Sequence, residues 1–538
     1  MTLTLARTKQ GSSGTGAAAG GRAGRPVVLL SGSMTDFAKA IAAGYATEGA
    51  AIELGRGVHE GTLHQDAVVR IPLAMMTRHG LIAGATGTGK TRTLQLLAEA
   101  LSAAGVPVFA ADVKGDLSGL SQPGETGKAA EKRQADLGLP FAPTGFPTEY
   151  LALGGIGAGV PVRATVSDFG PQLLAKVLSA NKTQEQSLTL VFHYADENGL
   201  PLVDLSDLRA LLTFLDSDEG KPELKRIGGL SPATVGVLLR SLIGLEEGGG
   251  NEFFGEPQFA IADLLRTAPD GRGVISCLEL PGVQDKPALF STALMWLLAE
   301  LFEDLPEAGD LDKPKLVFFF DEAHLLFDGA TEAFLDSVAQ TVRLIRSKGV
   351  GIFFVTQNPQ DVPSEVLGQL GSRVQHSLRA FTPDDAKALK ATVSTYPKSD
   401  LYDLEELLTQ MGIGEAVVTV LSDRGIPTPV VHTRLAAPAA SMGPAPDVDG
   451  AAKASPLYAR YGERLDNPSA RELLEARLTQ PAPLPPTEME HVPVPKPRKR
   501  APAPAGPPDV GDFLRSREGQ RLQRKVLRGV FGMLRKRL

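Results

Sequence analysis

From residue 80 onward, short apolar runs alternate with stretches whose apolar residues recur every three or four positions. That alternation predicts a mainly parallel sheet with helical crossovers. The runs read as strands are residues 80–83, 106–111, 274–280, 316–320, 351–356, 373–378 and 416–421. Another, over 428–434, follows across Asp423-Arg424-Gly425, a hairpin signal. Between the second and third runs, residues 169–265 carry Leu173, Leu174, Val177 and Leu178, then Leu208, Leu211, Leu212 and Leu215. Spacings of three and four predict a helical subdomain inserted into the sheet.

The flanks differ in kind. Residues 1–26 are expected to be a flexible Gly/Ala/Ser-rich leader, and 27–76 a short segment with a few strands or a helix. The core is placed at 77–435. Residues 436–512 read as a Pro/Ala-rich linker region, extended over 436–446 and 481–508. Residues 513–538 set Leu514, Leu522, Val526 and Phe531 among arginines, which predicts a basic amphipathic helix, with Lys496, Arg498, Lys499 and Arg500 before it.

Composition narrows the class. The chain has 538 residues, 43% hydrophobic and 22% charged, with formal net charge −7. Its surface as a whole does not attract nucleic acid, so any such site must be local: a pore, a loop or the tail. No apolar run approaches the roughly 20 residues of a membrane helix. Arg7 and Lys9 precede Gly, Ser and Ala rather than an apolar stretch, so no secretory signal is read. The single cysteine, Cys277, cannot pair within the chain and reads as a buried core thiol. A cytoplasmic location is expected.

Gly84-Ala85-Thr86-Gly87-Thr88-Gly89-Lys90-Thr91 matches the P-loop pattern in full. Glycines let the backbone wrap a phosphate with N–H groups inward, at the positive end of the helix that follows. Lys90 is suited to neutralise the β- and γ-phosphates and the Thr91 hydroxyl to ligate Mg2+. The apolar run ending in Asp321-Glu322-Ala323-His324 supplies the other half. Asp321 is placed to hold magnesium, and Glu322 to take a proton from the attacking water as general base. Gln357, after residues 352–356, is a candidate to reach the γ-phosphate or orient the water. Arg346, and after it Arg343, are candidates for an arginine supplied to a neighbouring subunit's phosphate, with Arg373 and Arg379 behind them. Asp112-Val113-Lys114-Gly115-Asp116 ends a strand where ligands bind in open α/β sheets, or is a polar turn. His193 and His324 stand apart from any Cys or paired His, so no structural metal site is read. The fold class expected is α/β: a RecA-like (ASCE) P-loop NTPase core with an inserted helical subdomain and a C-terminal basic helix.

These motifs, with Arg78-His79-Gly80-Leu81-Ile82, Gly228-Gly229-Leu230-Ser231, Phe253-Phe254-Gly255-Glu256-Pro257 and residues 342–360, resemble the HerA/FtsK superfamily of hexameric DNA-pumping ATPases. More narrowly the chain is similar to the bacterial YjgR-like group, over residues 71–434. The resemblance implies ATP and Mg2+ as cofactors, with Lys90 and Thr91 as nucleotide and magnesium contacts. It further implies Asp321 on the metal, Glu322 activating water and Gln357 sensing the γ-phosphate. It also implies a homohexamer with ATP at subunit interfaces, arginines supplied in trans, and DNA as partner. Archetypal members carry an N-terminal β-barrel that docks a nuclease. The segment before Ile71 is short for one, and no nuclease partner is carried over. Two other readings stay open: a nucleotide-gated scaffold or protein-remodelling ATPase whose basic tail meets an acidic partner or a membrane surface, and a small-molecule kinase, disfavoured by Glu322.

Overall fold

The computed structural model describes residues 34–327 and 332–479. The expected leader (1–26) and basic helix (513–538) lie outside them. The strands are β1 (Ala51–His59), β2 (Thr62–Pro72), β3 (Gly80–Ala83), β4 (Val108–Asp112), β5 (Thr148–Leu153) and β6 (Val160–Val162). They continue with β7 (Ile275–Glu279), β8 (Leu316–Phe320), β9 (Val350–Thr356), β10 (Ser372–Gln375), β11 (Glu415–Thr419) and β12 (Val431–Leu435). All twelve form one sheet, in the order β2-β1-β12-β11-β10-β3-β9-β8-β4-β7-β5-β6. From β10 to β6 every pairing is parallel. From β10 to β2 every pairing is antiparallel. The strand β9 thus separates β3, which leads into the Gly-rich loop, from β8, which ends at Asp321-Glu322.

Alternation along the central strands fixes two cores. Leu81, Ala83, Phe318 and Phe320 face one side, while Ile82, Val317 and Phe319 face the other. The continuous apolar character of these strands reflects burial on both faces. Helix α1 (Met34–Gly44) and helix α2 (Lys90–Ala103) cover the second face, the latter through Leu94, Leu97 and Leu101. The inserted helices cover the first: α3 (Lys128–Asp136) precedes them, then α4 (Val166–Val177), α5 (Lys182–Glu197), α6 (Leu205–Asp216), α7 (Lys221–Ile227) and α8 (Pro232–Leu245). Leu188, Leu208, Leu212 and Leu238 bury their faces in the same cluster as Phe318 and Phe320. The insertion shares its core with the sheet. Among the described residues no helix is long and apolar enough to cross a membrane.

Two features depart from the sequence reading, at β5 and β6 and over residues 436–446, while the segment before the core agrees with it. β5 and β6 extend the sheet; the latter is Val-Pro-Val, and a proline is tolerated there because β6 is an edge. Residues 34–72 supply α1 and two antiparallel strands to the opposite edge of the same sheet. Residues 436–446, expected to be a free extended linker, are instead tied to the core. Glu99 on α2 accepts the Ala439 and Ala440 N–H groups at 2.7 and 2.9 Å, and the Met442 carbonyl accepts from Arg92 at 2.9 Å. Helices over Val448–Ala454 and Ala470–Thr479 follow. Ser469 donates to Asp207 at 2.6 Å, and Tyr461 to Asp263 at 2.6 Å. Composition signalled an unstructured stretch because Pro and Ala contribute no periodicity; buried side chains elsewhere satisfy the strap's backbone.

Glu99 makes this strap pH-dependent. Burial pushes its carboxyl up to about 7, against the two strap N–H groups that favour the anion. An acid whose pKa is higher folded than unfolded binds protons more tightly in the native state, so its contribution to stability falls as pH rises from about 4.5 to about 7. The loss is about 3 kcal/mol, an order-of-magnitude figure. Melting of the native chain and Glu99→Gln between pH 5 and 8 is expected to show a flatter profile for the variant. A constant difference between the two would refute the assignment.

Candidate active site

The Gly-rich loop is shaped by its backing. Gly84, at φ 153°, sits so close to β10 that a Cβ there would lie 2.5 Å from the His376 Cβ. Gly89, at φ 117°, turns the chain into α2, a conformation glycine adopts without steric cost. The Ala85 N–H donates to the Ser377 carbonyl at 2.9 Å, and the Gly414 N–H to the Thr88 carbonyl at 3.0 Å. His376 is fully buried beneath the loop, with Nε2 2.8 Å from the Thr93 hydroxyl, and burial lowers its pKa to about 4, so it is neutral. The support is therefore buried and uncharged.

Within the loop, Lys90 donates to the Gly84 and Ala85 carbonyls at 2.7 and 3.2 Å. Burial holds its ammonium below the usual lysine range. Gly87 has open space around the position of a Cβ, so nothing crowds the loop's outer rim. Thr91 follows Lys90 in the first turn of α2. Gln357, directly after β9, lies with Oε1 3.4 Å from the Thr86 hydroxyl. It is held there by its neighbours: Asp361 accepts from the Thr356 hydroxyl at 2.5 Å and from the Asn358 N–H at 2.9 Å.

Asp321 and Glu322 end β8 and are both buried. Burial, and next the Glu322 charge, raise the Asp321 carboxyl to about 7. Its Oδ2 is buried without a hydrogen-bond partner. An unpartnered buried carboxylate oxygen is costly unless a cation or donor meets it, so this residue fits Mg2+, with the Thr91 hydroxyl as a second oxygen of the required hard type. Glu322 adopts φ 46°, unusual for a side chain with a Cβ and a sign of local constraint. Burial pushes its carboxyl up, but the Lys114 hydrogen bond and charge, with His324 and Lys90 beyond, outweigh that and hold it below the usual range. It is therefore ionised at neutral pH and able to accept a proton.

Lys114 was legible only as part of a polar strand end. The structure brings its Nζ onto Glu322 Oε1, while His324 Nδ1 stands 3.3 Å from Oε2. Asp112 shapes the loop that carries it, accepting from the N–H groups of Lys114 (3.2 Å), Gly115 (2.8 Å) and Leu117 (2.7 Å). Burial raises the Asp112 carboxyl to about 6 despite those donors. The sequence signal was an Asp-x-Lys-Gly-Asp run at a strand's C-terminal end; its target on another strand was not readable.

The arginines separate. Arg379 donates to the Thr86 carbonyl at 3.3 Å and so reaches the Gly-rich loop of its own chain. Arg373 is tied to the Thr395 hydroxyl at 2.6 Å and lies over the Tyr396 ring, a structural role. Arg343 is exposed on the helix Glu332–Ile345, and Arg346 begins the turn that precedes β9. Both lie at the other end of β9 from Gln357, about 20 Å along the strand. They do not meet the loop of their own chain. Cys277 is buried on β7, where burial pushes its thiol well up, away from nucleophilic use.

A parallel sheet in which an extra strand separates the phosphate loop from the paired acids defines a RecA-like P-loop ATPase. The family described as Helicase HerA-like C-terminal matches residues 58–503. The chain belongs to that family and is a P-loop ATPase. A Methanocaldococcus jannaschii protein named Probable helicase MJECL08 is 28% identical over 154 residues, which are 27% of this chain and 28% of that protein. The match thus spans little more than a quarter of that relative. Among solved structures, the plasmid coupling protein TrwB in complex with ADP and Mg2+ is similar at 16% identity and TM-score 0.49, over 73% of this chain and 98% of that one. VirB4 of Thermoanaerobacter pseudethanolicus is similar at 16% identity and TM-score 0.43, over 72% of this chain and 97% of that one.

Proposed function

We propose that this ATPase is a motor that translocates DNA, working as a ring of identical subunits with ATP at their interfaces. The observation that carries the hydrolytic part is the buried pair at the end of β8: Asp321 with an unpartnered oxygen, and beside it an ionised Glu322. Lys90 neutralises the β- and γ-phosphates, Thr91 and Asp321 hold Mg2+, and the residue 84–89 backbone cradles the phosphates. Bound Mg2+ neutralises charge that develops on the phosphate oxygens. Glu322 takes the proton of the attacking water, and Gln357 reports the γ-phosphate to the following turn. Arg346, or Arg343, meets the neighbour's nucleotide, which accounts for their distance from their own loop. Membership in a helicase-named family supports DNA as the track.

The formal net charge of −7 favours a second reading, a nucleotide-gated scaffold or protein-remodelling ATPase without nucleic acid. ATP hydrolysis with and without double-stranded DNA, with the mass of the nucleotide-bound form recorded alongside, separates the two. Strong stimulation in a hexamer-sized species is expected, and it should weaken steeply with salt because phosphate contacts release counterions. Hydrolysis indifferent to DNA overturns the motor reading. Co-sedimentation with DNA and with anionic vesicles, before and after removal of residues 509–538, locates the tail's contribution.

A further inference from the structure

Glu322 is the group whose carboxylate must receive the proton, and in this structure one of its two oxygens is already engaged while the other lacks a hydrogen bond. Lys114 Nζ occupies Oε1 and His324 Nδ1 stands 3.3 Å from Oε2. The two members of the ion pair differ in exposure: the Glu322 side chain is 6% exposed and that of Lys114 47%. The lysine can therefore leave without opening the core, whereas the glutamate, on a constrained backbone at the end of β8, cannot. Strand order places the lysine's loop on the far side of β8 from the strand that leads into the phosphate loop. In β3-β9-β8-β4 the phosphate loop follows β3, Glu322 follows β8, and Lys114 follows β4. The loop is braced by Asp112, so the side chain, not the backbone, is the moving part.

We propose that Lys114 is a positioning residue that clamps Glu322 in its resting state, and that a phosphate oxyanion arriving from outside the nucleotide pocket draws the lysine away and releases the base. The half-exposed ammonium favours a nucleic-acid backbone phosphate as that oxyanion. In the step so gated, the water oxygen bonds to the γ-phosphorus and its proton passes to Glu322. The bond to the bridging oxygen breaks, with its electron pair left on ADP. While Lys114 holds Oε1, that oxygen is engaged and is not available to the water's proton. The inference rests on the general-base role of Glu322 and adds the regulation of that site: ligand binding shifts a two-state equilibrium that the ion pair otherwise holds closed.

The test is steady-state ATP hydrolysis by the full chain, with and without double-stranded DNA, for Lys114→Ala and Lys114→Gln. If the released state is a tenth or less of the resting population, basal kcat should rise roughly tenfold or more, KM should change little, and stimulation by DNA should shrink toward none. Lys114→Arg, which keeps the cation, should bring the basal rate back toward that of the native chain. The double variant with Glu322→Gln should be as slow as Glu322→Gln alone. Thermal melting checks that each variant is folded, and two replacements of different size guard against loss of either. A basal kcat that is unchanged or lower in both replacements overturns the clamp, even when Glu322→Gln is inactive and the base assignment stands. A basal rise in a protein that DNA never stimulates overturns release by a nucleic-acid phosphate.

Discussion

Glu322→Gln is expected to lower ATP turnover roughly 100- to 10,000-fold while leaving ATP binding intact. The replacement keeps the size and planarity of the side chain but removes the basic oxygen that takes the proton. The loop's backbone is untouched, because it and Lys90 are built on β3 and α2 with β9 between them and β8, although Lys90 loses one nearby carboxylate. The native carboxylate is held ionised by Lys114, so the loss reflects chemistry and not a change in protonation of a group already neutral. Phosphate release measured beside equilibrium binding of ATP decides the matter. Turnover within tenfold of the native chain would show that another group activates the water.

Lys90→Ala is the second large effect, with an expected loss of roughly 100- to 1000-fold in kcat/KM and weakened ATP binding. Lys90 is the buried cation of the loop. Its ammonium rests on the Gly84 and Ala85 carbonyls, and the nearby carboxylates of Glu322, Asp321 and Asp361 offset part of its burial. Removing it leaves acids on one side of the phosphate site with less positive charge to balance them, so the penalty falls on binding as well as on the transition state. The fold should survive: alanine is a strong helix former, and the first turn of α2 is anchored by backbone contacts from Gly89 to Thr93. The Kd for ATP, with melting as a control, checks this. Undiminished ATP binding and turnover would remove Lys90 from the site.

The two variants fail differently because the two halves of the site come from different strands, and this bears on what could be read in the chain itself. The Gly-rich loop was legible because its pattern is local: eight consecutive residues carry it, and its glycines are required by backbone geometry at those positions. Asp321-Glu322 was legible because an apolar strand ending in acids, in a chain that already carries a P-loop, has few other uses. The parallel sheet and inserted helices were legible from periodicity, which records burial directly. The strap over 436–446 was misread as free linker because Pro and Ala carry no such record. Its attachment depends on Glu99, more than three hundred residues earlier, offering a buried acceptor. β6 was invisible because three residues with a central proline form a strand only where a partner strand already lies beside them.

By itself, then, the sequence determined a P-loop ATPase with a paired-acid centre, since each of those elements is a short run whose chemistry is fixed by neighbours in the chain. Tertiary structure alone decided that Lys114 meets Glu322, that Arg379 rather than Arg346 reaches the loop of its own chain, and that His376 braces it from below. These contacts join residues on different strands. Their pairing follows from strand order and register, which arise from the packing of the whole sheet and are recorded in no local pattern.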